Sequence, residues 1–352
     1  MERLKLNRGF IPLLLALAFI LWCRADQSVA DFYSLSLYPV ISGLLSRISS
    51  IFPFPLEEVI VFGFVIAIVW VIIHGIRRKQ GFLSVLGKEL RIILSIVVWF
   101  YLGWGINYFR SSLPQRMETP LARYDEESFK AFLADYVSRL NETARDHGTM
   151  VPAPESLSKA IAPEVRQFYD RLSEDAGLAR PKHWQCPKTS LTSGLFSKVG
   201  VTGSMGPFLS ESLLNGDMPE SEYPFTFAHE FAHLMGVSSE AEANFWAYRF
   251  CESSQSPAVQ YSGCFSLLGN ILRNARALLS EEDYAAFVGS IDEDVKAQYN
   301  ERVEYWADKY SKLLGDIQGA IYDAYLKGNG ISSGTRNYDE VLGLLMTDFG
   351  CG

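Results

Sequence analysis

Cysteine is scarce in this chain: five in 352 residues, with no Cys-x-x-Cys pair. That excludes structural zinc modules built on paired cysteines and a scaffold held mainly by disulfides. Long basic runs are missing and the formal net charge is −8, which argues against nucleic acid as a partner. Internal repeats and low-complexity tracts are missing too, so neither a solenoid nor a disordered array accounts for the length. No stretch spells out a substrate sequence, an oligomeric state or a trigger. Histidine is as rare as cysteine, at five, and two of the five stand four residues apart.

Apolar residues are abundant instead. They make up 48% of the chain, mean hydropathy is slightly positive, and the excess falls in the first third. Arg3, Lys5 and Arg8 precede the apolar run Gly9 to Cys23. That run reads either as a signal-peptide core, with a small-residue site at Ser28-Val-Ala30, or as an anchor. Trp22 before Cys23 argues against a lipoprotein signal. Val59 to Ile76 and Ile92 to Phe109 are stronger transmembrane candidates. The loop between them carries Arg77, Arg78, Lys79, Lys88 and Arg91, and an excess of positive charge marks the cytoplasmic side. The expected arrangement is a membrane region over 1–109, with helices at about 9–23, 59–76 and 92–109 and the lipid bilayer as partner. A linker over 110–123 with Pro114 and Pro120 follows, then an extracytoplasmic domain over 124–352. Asp31 to Phe54, apolar and semi-amphipathic, reads as lying on the outer membrane surface.

The fold class expected for the domain is α+β, mostly helical with a small sheet. Helices are expected over Asp125 to Asp146, Glu155 to Ala176, Pro257 to Leu279, Glu281 to Leu314, Ile317 to Lys327 and Tyr338 to Phe349. Pro181 to Thr192 reads as irregular, Leu195 to Leu213 as strands and turns, and Gly328 to Gly334 as a loop. Cys186, Cys251, Cys264 and Cys351 share the outer compartment, where Cys251 paired with Cys264 and free buried thiols stand as alternatives. Asn141-Glu-Thr143 matches a glycosylation acceptor. His147 and His183 read as surface or packing residues, and His74 as a membrane-end residue.

The chemistry is concentrated in Phe225-Thr-Phe-Ala-His229-Glu230-Phe-Ala-His233-Leu-Met-Gly236. On a helix, His229 and His233 leave the same face one turn apart, so two ring nitrogens can reach one zinc ion. Glu230 stands where a general base must sit to take a proton from water at such an ion. Pro224 suits the first turn of that helix and Gly236 the left-handed residue that ends it. Apolar residues surround the polar trio, so the helix should be buried. A catalytic zinc of this type takes three protein ligands and keeps one position open. Glu240 and Glu242 compete for third ligand. Ser239 as N-cap would give Glu242 a structural task, reaching back to the Ser239 amide, which favours Glu240. Asn244, one turn beyond Glu240, could orient a ligand. Tyr248, Tyr261 and Tyr305 are candidates for the further donor that an oxyanion needs.

This stretch resembles the gluzincin side of the zincin metallopeptidases, where a glutamate on a second helix completes the site. More closely, Pro224-Phe-Thr-x-Ala-His-Glu-x-Ala-His followed by Glu240-x-Glu-Ala-Asn-Phe-x-Ala-Tyr248 resembles an uncharacterised family of bacterial membrane proteins, a domain of unknown function. Tyr261-Ser-Gly263 and Tyr322-Asp-x-Tyr325-Leu-Lys extend the likeness over most of the chain. The resemblance implies membrane helices ahead of a zincin-like domain, and it favours a retained anchor over a cleaved signal. By the same analogy, Val199 to Leu209 is the edge strand that binds an extended peptide. The metzincin branch is disfavoured, because it places a third histidine where this chain has Ser239.

The function expected is a membrane-anchored zinc metallopeptidase acting on a peptide or protein substrate, with Glu230 as general base and Zn2+ on His229, His233 and Glu240. The alternative is a non-catalytic zinc-binding receptor or envelope assembly factor on the same scaffold. A transport or scaffold protein with an accidental motif is a third reading, weakened because no charge interrupts Val59 to Ile73 or Ile92 to Phe109.

Overall fold

The computed structural model describes residues 10–144, 153 and 155–351. Arg3, Lys5, Arg8, Gly9, Asp146, His147 and the side chain of Cys351 lie outside the described residues.

Helix α1 (Ile11–Ala25) ends at Asp26, whose carboxylate accepts from the Ser28 amide at 3.0 Å and so caps α2 (Gln27–Phe32). A π-helical turn, Tyr33–Leu37, leads into α3 (Tyr38–Ser49). Then come α4 (Leu56–Arg77) and α5 (Phe82–Gly103). Among the described residues, α4 is the one helix long and apolar enough to cross a membrane, and it is barely buried. Ile11–Ala25 and Gln27–Ser49 meet that test together but are bent by 112°.

Helix α5 differs from the span expected over 92–109. It begins ten residues earlier, takes in Lys88, Glu89 and Arg91, and stops at Gly103 before a 3-10 turn, Gly105–Phe109. Contact with the turn between the second and third strands accompanies that stop: a Cβ on Gly103 would stand 2.6 Å from the Pro207 carbonyl oxygen. Trp104 and Ile106 turn into the core instead of continuing toward lipid.

A short helix α6 (Leu113–Arg116) precedes α7 (Glu126–Thr143) and α8 (Glu155–Leu172). Strand β1 (Lys188–Thr189), helix α9 (Ser193–Lys198), β2 (Gly203–Gly206) and β3 (Glu211–Leu214) follow. Among the described residues the strands form one sheet in the order β1-β3-β2. β1 runs parallel to β3, and β2 runs antiparallel with Ser204 opposite Leu213. That leaves β2 at an edge, and the region expected to hold only strands and turns also holds α9.

The remainder is helical: α10 (Tyr223–Leu234), α11 (Glu240–Ser253), α12 (Pro257–Leu278), α13 (Glu281–Gly289), α14 (Glu293–Lys309) and α15 (Lys312–Gly328). A 3-10 turn, Gly334–Glu340, and α16 (Val341–Cys351) close it. The single helix expected over Glu281 to Leu314 is broken twice. At the breaks, amides that a continuous helix would use internally go elsewhere: Asp292 N to Asn141 Oδ1 at 3.0 Å, and Ser311 N to the Lys198 carbonyl at 2.8 Å.

One buried apolar cluster runs from Cys23, Tyr33 and Tyr38 through Trp104 and Ile106 to Phe227, Phe265 and Met346. Residues 110–116 are fastened to it. Arg110 donates to the Gly236 and Gly177 carbonyls, and Arg116 Nε to the Ala176 carbonyl at 2.9 Å. Cys23, Cys186, Cys251 and Cys264 are free thiols, so Cys251 and Cys264 are not paired.

Candidate metal centre

Pro224 occupies the first turn of α10, and Gly236, at φ +97°, closes its C-terminus in the left-handed region. Every residue from Pro224 to Leu234 is buried, so the helix is held from all sides. Its last carbonyls, which lack helical partners, are taken by side chains from the first third of the chain. Trp104 Nε1 donates to His233 O and Tyr38 Oη to Leu234 O, both at 2.8 Å. Ser238 Oγ donates to Asn107 O at 3.0 Å, fixing the turn into α11.

That turn brings Glu240 back over the two histidines. His229 Nε2 and His233 Nε2 stand 3.1 Å apart, and Glu240 Oε2 lies 3.2 Å from the first and 3.4 Å from the second. Among the described residues these three form the one cluster suited to holding a metal. Ligands about 2.0–2.1 Å from a tetrahedral zinc stand about 3.3–3.4 Å from each other, so the triangle has the right size. Asn337 Oδ1 accepts from the Glu240 and Ala241 amides at 2.9 and 3.3 Å, anchoring the start of α11. Tyr322 Oη donates to Glu240 Oε1 at 2.5 Å, which leaves Oε2 for the histidines.

The tautomer is also set. His233 Nδ1 lies 2.7 Å from the Val237 carbonyl, so Nδ1 carries a hydrogen and Nε2 is the nitrogen that faces the cluster. Glu240 Oε2 and Glu230 Oε2 are buried without a hydrogen-bond partner. Burial opposes ionisation of Glu240, yet the adjacent histidines hold its pKa well below the usual range. Burial would likewise depress His233, but the Glu240 carboxylate raises it to about 9. Two imidazoles and a carboxylate packed this closely could hold a metal ion. The donor set fits zinc.

Glu242 points elsewhere. Its carboxylate pairs with Arg116 and accepts from Trp246 Nε1 at 3.2 Å. Ser239 Oγ accepts from the Glu242 amide at 3.3 Å, as an N-cap should, but the Glu242 side chain does not return to the Ser239 amide. Burial and neighbouring Arg116 lower the Arg110 pKa to about 10 while Glu242 pulls it up. Removing Glu242 would leave the largely buried Arg116 guanidinium without its ion-pair partner. Glu242→Ala is therefore expected to destabilise the fold by about 3–5 kcal/mol, read as a lowered thermal midpoint, while bound metal stays at the wild-type level.

Glu230 sits under the edge strand. A Cβ on Gly203 would lie 2.6 Å from Glu230 Cγ and 2.7 Å from Oε1, so β2 can pass over the carboxylate only because position 203 is glycine. Burial raises the Glu230 pKa while His229 and His233 pull it down. Gly203→Ala must move either the strand or the carboxylate. The crowding is expected to cost about 1–3 kcal/mol of stability, read as a lowered thermal midpoint; an unchanged midpoint would show that this close approach is dispensable.

The chain matches, over residues 33–346, the family described as Protein of unknown function (DUF3810). It belongs to that family. No curated protein and no solved structure matches it. The DUF3810 match spans every residue of the cluster and the side chains that brace it, from Tyr38 to Tyr338.

Around the centre, the tyrosines are not the ones expected. Tyr248 borders a separate cavity of about 200 Å³ beside Arg139 and Cys264. Tyr261 donates to Gln298, and Tyr305 to the Asp217 carbonyl at 2.5 Å. The hydroxyls at the centre belong instead to Tyr322 and Tyr338. The Tyr338 ring stacks on His229 with centroids 6.4 Å apart. Burial, reinforced by Glu240, pushes both phenols far above their ordinary pKa, so both remain proton donors. Asn244 Nδ2 donates to the Tyr338 carbonyl at 3.5 Å, so it holds the stacked ring's backbone. The signal for Tyr322 was present in Tyr322-Asp-x-Tyr325; Tyr338 carried none.

The cluster, Glu230, Asn244, Tyr322 and Tyr338 line a cleft of about 980 Å³ in this DUF3810 chain. Its floor holds His229, Glu230, His233 and Glu240, one wall is Gly203 to Met205, and the rest is largely apolar, including Phe100, Phe196 and Ile321.

Proposed function

We propose that this protein is a membrane-anchored zinc metallopeptidase with a zincin-like domain of gluzincin type. The observation that carries the reading is the convergence of His229 Nε2, His233 Nε2 and Glu240 Oε2 on one buried point, with Glu230 beside it and its Oε2 buried and unpartnered. Zinc held there supplies a Lewis acid and lowers the pKa of a water toward neutrality. Glu230 takes the proton of the attacking water and returns it to the leaving amine. Tyr322 holds the Glu240 carboxylate in place, and Tyr338 offers a hydroxyl near the reacting carbonyl. β2, at the edge of the sheet and along one wall of the cleft, suits an extended peptide added as a further strand.

Membrane attachment is supported by α4, with α5 and the bent α1–α3 segment as further membrane-embedded elements. Arg77, Arg78 and Lys79 lie at the C-terminal end of α4, and Lys88 and Arg91 in the N-terminal half of α5, whereas the cleft takes Phe100 from the other half of α5. By the positive-inside rule, the cleft then faces away from the cytoplasm.

The test is metal analysis and peptide turnover on the full chain. About one zinc per chain is expected, with cleavage of a mixed peptide library that stops on chelation and returns with zinc. A well-folded, metal-free protein that takes up no zinc would sink the reading.

A further inference from the structure

The cleft has an apolar rim that the proposed chemistry does not require. Helix α15 exposes Leu313 (71%), Ile317 (51%) and Ile321 (66%) on one stripe, with Ala320 and Ala324 between and beyond them and no charge within it. The same helix turns Tyr322 inward to Glu240. Beside it, α9 and the turn before it expose Leu195 and Leu191. An uncharged face of this kind beside a binding cleft marks a contact surface.

Neighbouring contacts indicate what covers it. The Leu191 amide donates at 2.7 Å to Glu58, in the first turn of α4, so Leu191 stands at the cleft-side end of the apolar helix. On the other flank, Phe208 packs edge-on against Phe64 of α4 at 5.1 Å and Trp99 of α5 at 5.8 Å. Phe100, the next residue of α5, lies in the cleft with Leu314, Ile317 and Ile321. The rim therefore adjoins α4, whose outward surface exposes Phe62, Val65 and Ile66, and the exposed charges Lys198, Lys312 and Asp316 lie at the facing ends of α9 and α15.

We infer that the α9–α15 rim is seated in the outer leaflet of the lipid bilayer, so that the cleft opens at the membrane surface. This rests on the membrane-anchored reading above. It also gives the amphipathic α15 a single task on each face: tyrosines on the metal centre, aliphatic side chains in lipid.

The experiment uses the full chain in vesicles of phosphatidylethanolamine and phosphatidylglycerol containing a phosphatidylcholine with a photoreactive diazirine in its acyl chain. Adducts are mapped by mass spectrometry. Peptides of α9 and α15 should carry lipid adducts as those of α4 do, and Leu313→Asp with Ile321→Asp should cut the α15 yield about tenfold while leaving α4 unchanged. Adducts on α4 with none on α9 or α15 would overturn the rim inference and leave the anchored reading standing. Undiminished α15 labelling in the double variant would overturn the inference as well. Adducts on none of these helices would remove the anchored reading, and the rim with it.

Discussion

Glu240→Ala is expected to reduce bound zinc from about one per chain to background and to abolish peptide cleavage. The reason is geometric. His229 and His233 lie one turn apart on α10 and offer two ligand atoms 3.1 Å apart; the third comes from a different helix, placed by a short turn. With Glu240 shortened to alanine, no other carboxylate among the described residues completes the cluster, because Glu242 is committed to Arg116 and Glu230 projects toward Gly203. Zinc that binds the folded chain and not the unfolded one stabilises it by mass action, by about 4 kcal/mol at a thousandfold excess over the dissociation constant. Zinc should therefore raise the thermal midpoint of wild type and of Glu242→Ala, and leave Glu240→Ala where it is. If Glu240→Ala kept its zinc and Glu242→Ala lost it, the assignment of the third ligand would be reversed.

The contrast between those glutamates shows what the sequence carries and what it withholds. His229, Glu230 and His233 are legible because their relation is local: a helix of known pitch fixes it. Glu240 and Glu242 stand two residues apart, and capping chemistry favoured Glu240 for a reason only half matched. Ser239 caps the helix, but the Glu242 carboxylate turns to Arg116, 126 residues earlier in the chain. No local pattern announces a partner that distant. The same limit applies to the tyrosines. Tyr248 and Tyr261 sit near the motif in sequence and Tyr305 farther on, yet all three make contacts elsewhere, while Tyr322 and Tyr338 come from farther still.

Helix positions follow the same rule. Amphipathic stretches such as Pro257 to Leu279 are found within a residue or so. Breaks fixed by distant partners, at Ser311 and Asp292, are not visible locally. The stop of α5 at Gly103 belongs with them, since an unbroken apolar run conceals contact with a Pro207 carbonyl a hundred residues on.

Glu230→Gln is expected to lower turnover by about 10²–10⁴-fold, the range that removal of a positioned general base produces, while zinc content stays at the wild-type level. Glutamine matches the volume of glutamate, so the space under Gly203 remains filled and β2 need not move. It also lies outside the triangle of His229, His233 and Glu240, so no ligand is lost. What disappears is the capacity to hold a proton between the water and the leaving amine. A bracing role for Glu230 would behave differently. The buried Oε2 has no hydrogen-bond partner, so replacing that oxygen with an amide breaks no bond and should leave the thermal midpoint nearly unchanged. Loss of rate with zinc and stability intact isolates the chemical role from the structural one. A Glu230→Gln protein that binds zinc and cleaves as fast as wild type would transfer the base role to another group or remove hydrolysis from the protein altogether.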